Sequence, residues 1–159
     1  SPRSFEKGLS KIVKYDRKWM MDQKVVDFLT SERMSVMAVD LPSGAPHASA
    51  MHFVFADGIL YFCTHSQSRK LAGLMSGSEP GSVVVGFSEA DWVTVQLDGQ
   101  IQKIESPTEK ETVKRLILAK YPESSKYMDE TAVFLKFTPT WWRFTDFKSQ
   151  PPVIIENGK

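Results

Sequence analysis

His47-Ala48-Ser49-Ala50-Met51-His52-Phe53-Val54-Phe55, then Ala56-Asp57-Gly58, then Ile59-Leu60-Tyr61-Phe62-Cys63-Thr64: residues 47–64 hold two extended runs joined by a short turn. Just upstream, Met34-Ser35-Val36-Met37-Ala38-Val39-Asp40 reads as a strand. Leu41-Pro42-Ser43-Gly44-Ala45-Pro46 follows as a turn punctuated by proline and glycine. The three strands form an antiparallel meander, because connections this short cannot make the crossover that parallel neighbours require. A doubly wound α/β sheet is excluded for this region.

Toward the N-terminus, Phe5, Leu9, Ile12 and Val13 recur at helical spacing, and Val25, Val26, Phe28 and Leu29 do so again after Asp22, a candidate N-cap. The start is expected to be helical, with residues 1–21 an extension of the main domain. Toward the C-terminus, residues 68–76 read as a short helix with Leu71, Leu74 and Met75 on one face, and Ser78-Glu79-Pro80-Gly81 as loop. Residues 82–88 form a strand, and residues 91–104 a longer one with a bulge or bend expected at Asp98-Gly99. Pro107-Thr108-Glu109 opens an amphipathic helix reaching Tyr121-Pro122. An extended run at 132–137 and the aromatic stretch Trp141-Trp142-Arg143-Phe144 close the domain, taken as 22–147, and leave 148–159 as a tail. Strands outnumber helices, so the expected fold is mainly β: a closed or nearly closed antiparallel barrel with helices packed outside.

The chain has 159 residues, enough for one core and short for two. Its 42% apolar and 25% charged residues are those of a folding soluble chain. A net charge of +1 provides no basic field for nucleic acid or an anionic membrane, and neither partner is expected. The lone Cys63 excludes an internal disulfide framework, and with only three histidines a structural zinc site lacks ligands. No apolar run approaches bilayer length and no secretory h-region is visible, so a cytoplasmic location is expected.

The chemistry concentrates in Tyr61-Phe62-Cys63-Thr64-His65-Ser66-Gln67-Ser68-Arg69-Lys70. Ser68 is a good N-cap, yet Arg69 and Lys70 then fall in the first helical turn. The helix dipole disfavours cations there by about 0.3–1 kcal/mol each. A bound anion reverses that sign: backbone N–H groups, the hydroxyls of Thr64 and Ser68 and two cations together make a phosphate cradle. A solvated basic turn with a routine serine cap is the competing reading.

The succession helix, strand, Gly44-Ala45-Pro46-His47 turn and strand, Asp57-Gly58 turn, Leu60-Tyr61-Phe62 strand and Thr64-x-x-x-Ser68-Arg69-Lys70 resembles the pyridoxamine 5′-phosphate oxidase-related FMN-binding split-barrel family, from about Asp22 to Asp146. The resemblance implies that Thr64, Ser68, Arg69 and Lys70 hold the FMN phosphate, the residues already reached from dipole signs. It implies that Ser49, Ala50 and Met51 lie along the flavin ring and ribityl chain, and that Thr94 stands near the flavin. It also implies a homodimer with FMN at the interface, serving a small-molecule substrate and an electron donor. The 4 Trp, 4 Tyr and 10 Phe support a dimer independently, being more than one small barrel can cover on both faces.

The expected activity is therefore flavin-dependent oxidoreduction, with the redox chemistry carried by the isoalloxazine and no side chain needed as nucleophile. A deazaflavin-dependent reductase and a flavin- or haem-binding carrier or sensor of the same fold are the alternatives. Efficient pyridoxamine 5′-phosphate oxidation is not expected. Members with that activity are implied to combine Trp, Arg and His near the C-terminus, whereas here no histidine follows His65 and Arg143 is the last arginine. His47 and His52 point to opposite strand faces and cannot chelate one metal, while Cys63 reads as a small buried hydrophobe. Dinucleotide, P-loop, metalloprotease-helix and nucleophile-elbow motifs are absent.

Overall fold

In the computed structural model, which describes residues 12–15, 21–75 and 77–157, Asp57 and Gly58 take φ of 51° and 80° and turn strand Val54–Ala56 back onto Ile59–His65. In chain order the elements are β1 (Ile12–Tyr15), α1 (Gln23–Ser31), β2 (Met34–Asp40), β3 (Pro46–His52), β4 (Val54–Ala56), β5 (Ile59–His65) and a 3-10 helix (Arg69–Leu74). After them come β6 (Ser78–Val85), β7 (Val93–Lys103), α2 (Pro107–Lys120), a second 3-10 helix (Pro122–Tyr127), β8 (Ala132–Asp146) and β9 (Val153–Asn157).

The pairing curls the sheet into a barrel whose strands on either side of the split, β3 and β5, do not pair with each other. The order β9-β8-β7-β6-β2-β3 runs to the β3 edge, and β8 also pairs with β5, which pairs with β4. β3 and β4 are one run of chain interrupted at Phe53, so this run leaves β2 and joins β5, completing the expected mainly β, antiparallel barrel with a split in one wall. β2 alternates buried and half-buried residues along its length, and Met37, Val39, Met51, Phe62, Val85, Val95, Leu97 and Ile101 fill the interior. Full burial of each such side chain contributes about 1.5–3 kcal/mol. A second cluster, Val54, Ile104, Val113, Ile117, Tyr121 and Phe134, glues α2 to the outside of the barrel. Ser106 caps α2, its Oγ accepting from the Glu109 N–H at 3.3 Å, with Pro107 in the first turn.

Several sequence readings need correction. Ile12 and Val13, expected on a helix, lie in β1, which pairs in parallel with β9; Phe5 and Leu9 lie outside the described residues. Part of the stretch read as a tail is β9, antiparallel to β8. Ser78-Glu79-Pro80-Gly81, read as loop, opens β6. Pro80 is tolerated because β2 reaches only to Gly81, leaving β6 paired with β7 alone at that point. The two late extended runs are one 15-residue strand, β8. The register shift at Asp98/Gly99 is the expected bulge, and it requires glycine: a Cβ at Gly99 would lie 2.2 Å from the Thr138 carbonyl oxygen. No helix among the described residues is long and apolar enough to cross a membrane.

Candidate functional site

β5 ends in Cys63-Thr64-His65, and the chain then turns tightly. The Ser68 N–H donates to the His65 carbonyl at 2.9 Å and the Gln67 N–H to His65 Nδ1 at 3.1 Å, which returns Ser68 to the side of Thr64. Lys70 folds back into this turn. Its Nζ donates to Thr64 Oγ1 at 3.2 Å and to Ser68 Oγ at 2.5 Å, and the residue is only 6% exposed. Ser68 was expected to cap a helix through its side chain; it makes no such bond, because its hydroxyl is occupied by Lys70 and the helix that follows is a 3-10 turn rather than an α-helix. Each hydroxyl that accepts from Lys70 keeps its own proton for donation elsewhere. Burial holds the Lys70 pKa below its ordinary value, and among the described residues no carboxylate pairs with it. Arg69 is exposed beside it.

Lys70 and Thr64 form one end of a cavity of about 370 Å³ between the β3 and β5 edges and the α2 end with its following 3-10 helix. Ala50 and Met51 line it, together with His52, Phe53, Tyr61, Cys63, His65, Tyr121, Tyr127 and Met128. Burial, with a lesser push from Asp129, raises the Cys63 thiol pKa to about 11, so at neutral pH it is a protonated wall residue. Ser49 sits on the same strand but on the alternate face from Ala50; its Oγ is enclosed and has no hydrogen-bond partner among the described residues. Thr94 is not in this cavity. It lines a separate hollow with Phe87, Trp92 and Phe147, where its Oγ1 donates to the Val85 carbonyl at 3.3 Å.

The far wall was not legible in sequence. Phe53 is the residue at which the barrel splits, and its N–H donates to the Arg33 carbonyl at 3.3 Å. The Tyr121 hydroxyl lies 2.5 Å from the Phe53 carbonyl oxygen and 3.0 Å from that of Arg33, so it pins the split from the α2 side. Tyr121 is 1% exposed, and burial raises its pKa, keeping the pinning proton in place. The His52 imidazole stacks on the Tyr121 ring at 4.5 Å between centroids and 15° between planes. The Arg33 guanidinium lies 4.6 Å from the same ring and pairs with Glu123 at 2.9 Å. Lys120 donates to the Glu32 carbonyl and lies 4.6 Å over the Phe53 ring. Tyr121 had been read only as the end of a helix. A large phenol before Pro122 that must satisfy its hydroxyl on burial was the available signal.

A family model for pyridoxamine 5′-phosphate oxidase matches residues 21–146. Among solved structures, a conserved hypothetical protein from Mycobacterium tuberculosis aligns with a TM-score of 0.67 at 22% identity, covering 84% of this chain and 90% of that one. A FAD-binding protein from Mesorhizobium loti aligns at 0.59 with 14% identity, covering 77% and 92%. The haem storage protein HutZ from Vibrio cholerae aligns at 0.61 with 13% identity, covering 74% and 89%. At these identities the structures share the fold. No curated protein matches the chain significantly.

Proposed function

Because the chain belongs to the pyridoxamine 5′-phosphate oxidase-related family, we propose that it binds FMN and acts as a flavin-dependent oxidoreductase on a small molecule. One observation carries this reading. Lys70 is a buried ammonium held by two hydroxyls and by no carboxylate among the described residues, an arrangement suited to an anion. Burying a charge without a partner is costly, and a phosphate monoester supplies the missing charge together with acceptors for the Thr64 and Ser68 hydroxyls. The residues present therefore fit the phosphate of FMN.

In this reading Thr64, Ser68, Arg69 and Lys70 hold the phosphate, while the β3 residues Ala50 and Met51 border the ribityl chain and ring and Ser49 faces away from the cavity. Bound there, the isoalloxazine would exchange a hydride or electrons with donor and substrate. The chain's own part is to anchor the anion, orient the ring and keep water from it with Phe53, Tyr61 and Tyr121. Thr94 belongs to this site only through a second subunit, which is one reason to propose a two-fold dimer. A pyridoxamine phosphate substrate is disfavoured because the Arg143 guanidinium is held by Glu156 at 2.6 Å and so is not available to a second phosphate.

The absorbance spectrum of the purified protein, followed by turnover with NADH or NADPH and an electron acceptor, tests the proposal. A flavin spectrum, native or regained on adding FMN, with catalytic donor oxidation is the expected result. A protein that ignores added FMN overturns it. A Soret band or a deazaflavin spectrum would assign the fold's other ligands, and flavin without turnover would make the protein a carrier.

A further inference from the structure

We infer that His52 is a ligand-contacting residue that hydrogen-bonds the polar edge of the flavin ring, and that Tyr121 positions it. The inference rests on the FMN reading and adds a side chain to it. Residues i and i+2 of a strand share a face, so His52 stands with Ala50, and both line the cavity. Stacking on Tyr121 fixes the imidazole plane, and Tyr121 is itself fixed by its hydroxyl on the Phe53 and Arg33 carbonyls. Yet none of the hydrogen bonds among the described residues uses either nitrogen of His52, whereas His65, which also lines the cavity, already accepts the Gln67 N–H on Nδ1.

An imidazole held in one plane on a cavity wall, with a donor and an acceptor uncommitted, is suited to a planar heteroaromatic ring that carries carbonyl and ring-nitrogen groups. Around it are the phenol of Tyr121, the guanidinium of Arg33 and the carboxylate of Glu123. The arrangement divides recognition along the cavity: Lys70 with its hydroxyls reads the phosphate, and His52 reads the ring.

The test uses three probes, FMN, riboflavin and lumiflavin, titrated by quenching of flavin fluorescence. His52→Phe keeps an aromatic ring on Tyr121 and removes both nitrogens, and should weaken all three by a similar factor of about ten, the loss of one hydrogen bond. Lys70→Met should weaken FMN alone. In the unmutated protein, added FMN should shift the imidazole NMR signals of His52 and leave those of His47, on the other strand face, in place; this readout does not depend on any variant folding. FMN binding that His52→Phe leaves unchanged, or unshifted His52 signals at saturation, overturns the inference alone. Failure of the unmutated protein to bind any of the three overturns the FMN reading and this inference with it.

Discussion

Replacing Lys70 by Met should move stability and ligand affinity in opposite directions. Lys70 is 6% exposed, its ammonium hydrogen-bonds only the Thr64 and Ser68 hydroxyls among the described residues, and burial holds its pKa below 10.5. In the ligand-free protein, Met fills much the same volume without a desolvated charge. The loss of two hydrogen bonds offsets part of that relief, so the variant should be between equally stable and about 1 kcal/mol more stable. The phosphate contact is different: removing a charge-assisted bond of about 1.5–3 kcal/mol should weaken FMN about 10- to 100-fold and leave riboflavin unchanged. The pH dependence follows from the sign of the shift. Between the lowered folded-state pKa and 10.5 the unfolded chain holds a proton that the folded chain has released, so the wild type gains stability relative to Lys70→Met as pH rises through that window. Below the window the burial penalty is present in full. Urea melts of both proteins at several alkaline pH values, paired with FMN and riboflavin titrations, measure all three quantities. A variant that loses 2 kcal/mol or more while binding FMN as before would show that Lys70 is a structural tie for the turn, and the reasoning would fail.

Other expectations follow from the same geometry. Cys63, with a pKa of about 11, should react slowly with iodoacetamide at pH 8 and faster by roughly tenfold per pH unit as that value is approached, and saturating FMN should slow it further. Gly99→Ala should cost about 2–3 kcal/mol in chemical unfolding, since its Cβ would meet the Thr138 carbonyl at 2.2 Å and the Phe137 ring at 2.9 Å. Light scattering during size exclusion should give about twice 18.0 kDa for the proposed dimer. Trp92→Ser, which removes an indole that is 56% exposed beside Phe87 and Phe147, should shift it toward monomer without unfolding it.

What was legible in the sequence was local. The 41–46 turn, the Asp57-Gly58 turn, the helix start at Pro107 and the Asp98-Gly99 bulge are each set by residues adjacent in sequence, and each lies where it was read. The misread elements depend on distant partners. β1 exists as a strand through pairing with β9, some 140 residues later, so helical spacing within 5–13 could not reveal it. Pro80 looks like a strand breaker until the β2–β6 pairing is seen to stop at Gly81. The site divides in the same way. Thr64, Ser68 and Lys70 lie within seven residues of one another, and their cluster was readable from charge placement at a turn. The His52–Tyr121 wall joins residues 69 positions apart, and only α2 docking on the barrel brings them together.

If Lys70 and its two hydroxyls form a phosphate site, paired titration of the protein with FMN and riboflavin will reveal it. The two ligands share ring and ribityl chain and differ only in the phosphate. FMN should bind at least tenfold more tightly, with the preference lost in Lys70→Met. Equal affinity for the two, or a preference that survives Lys70→Met, would contradict it.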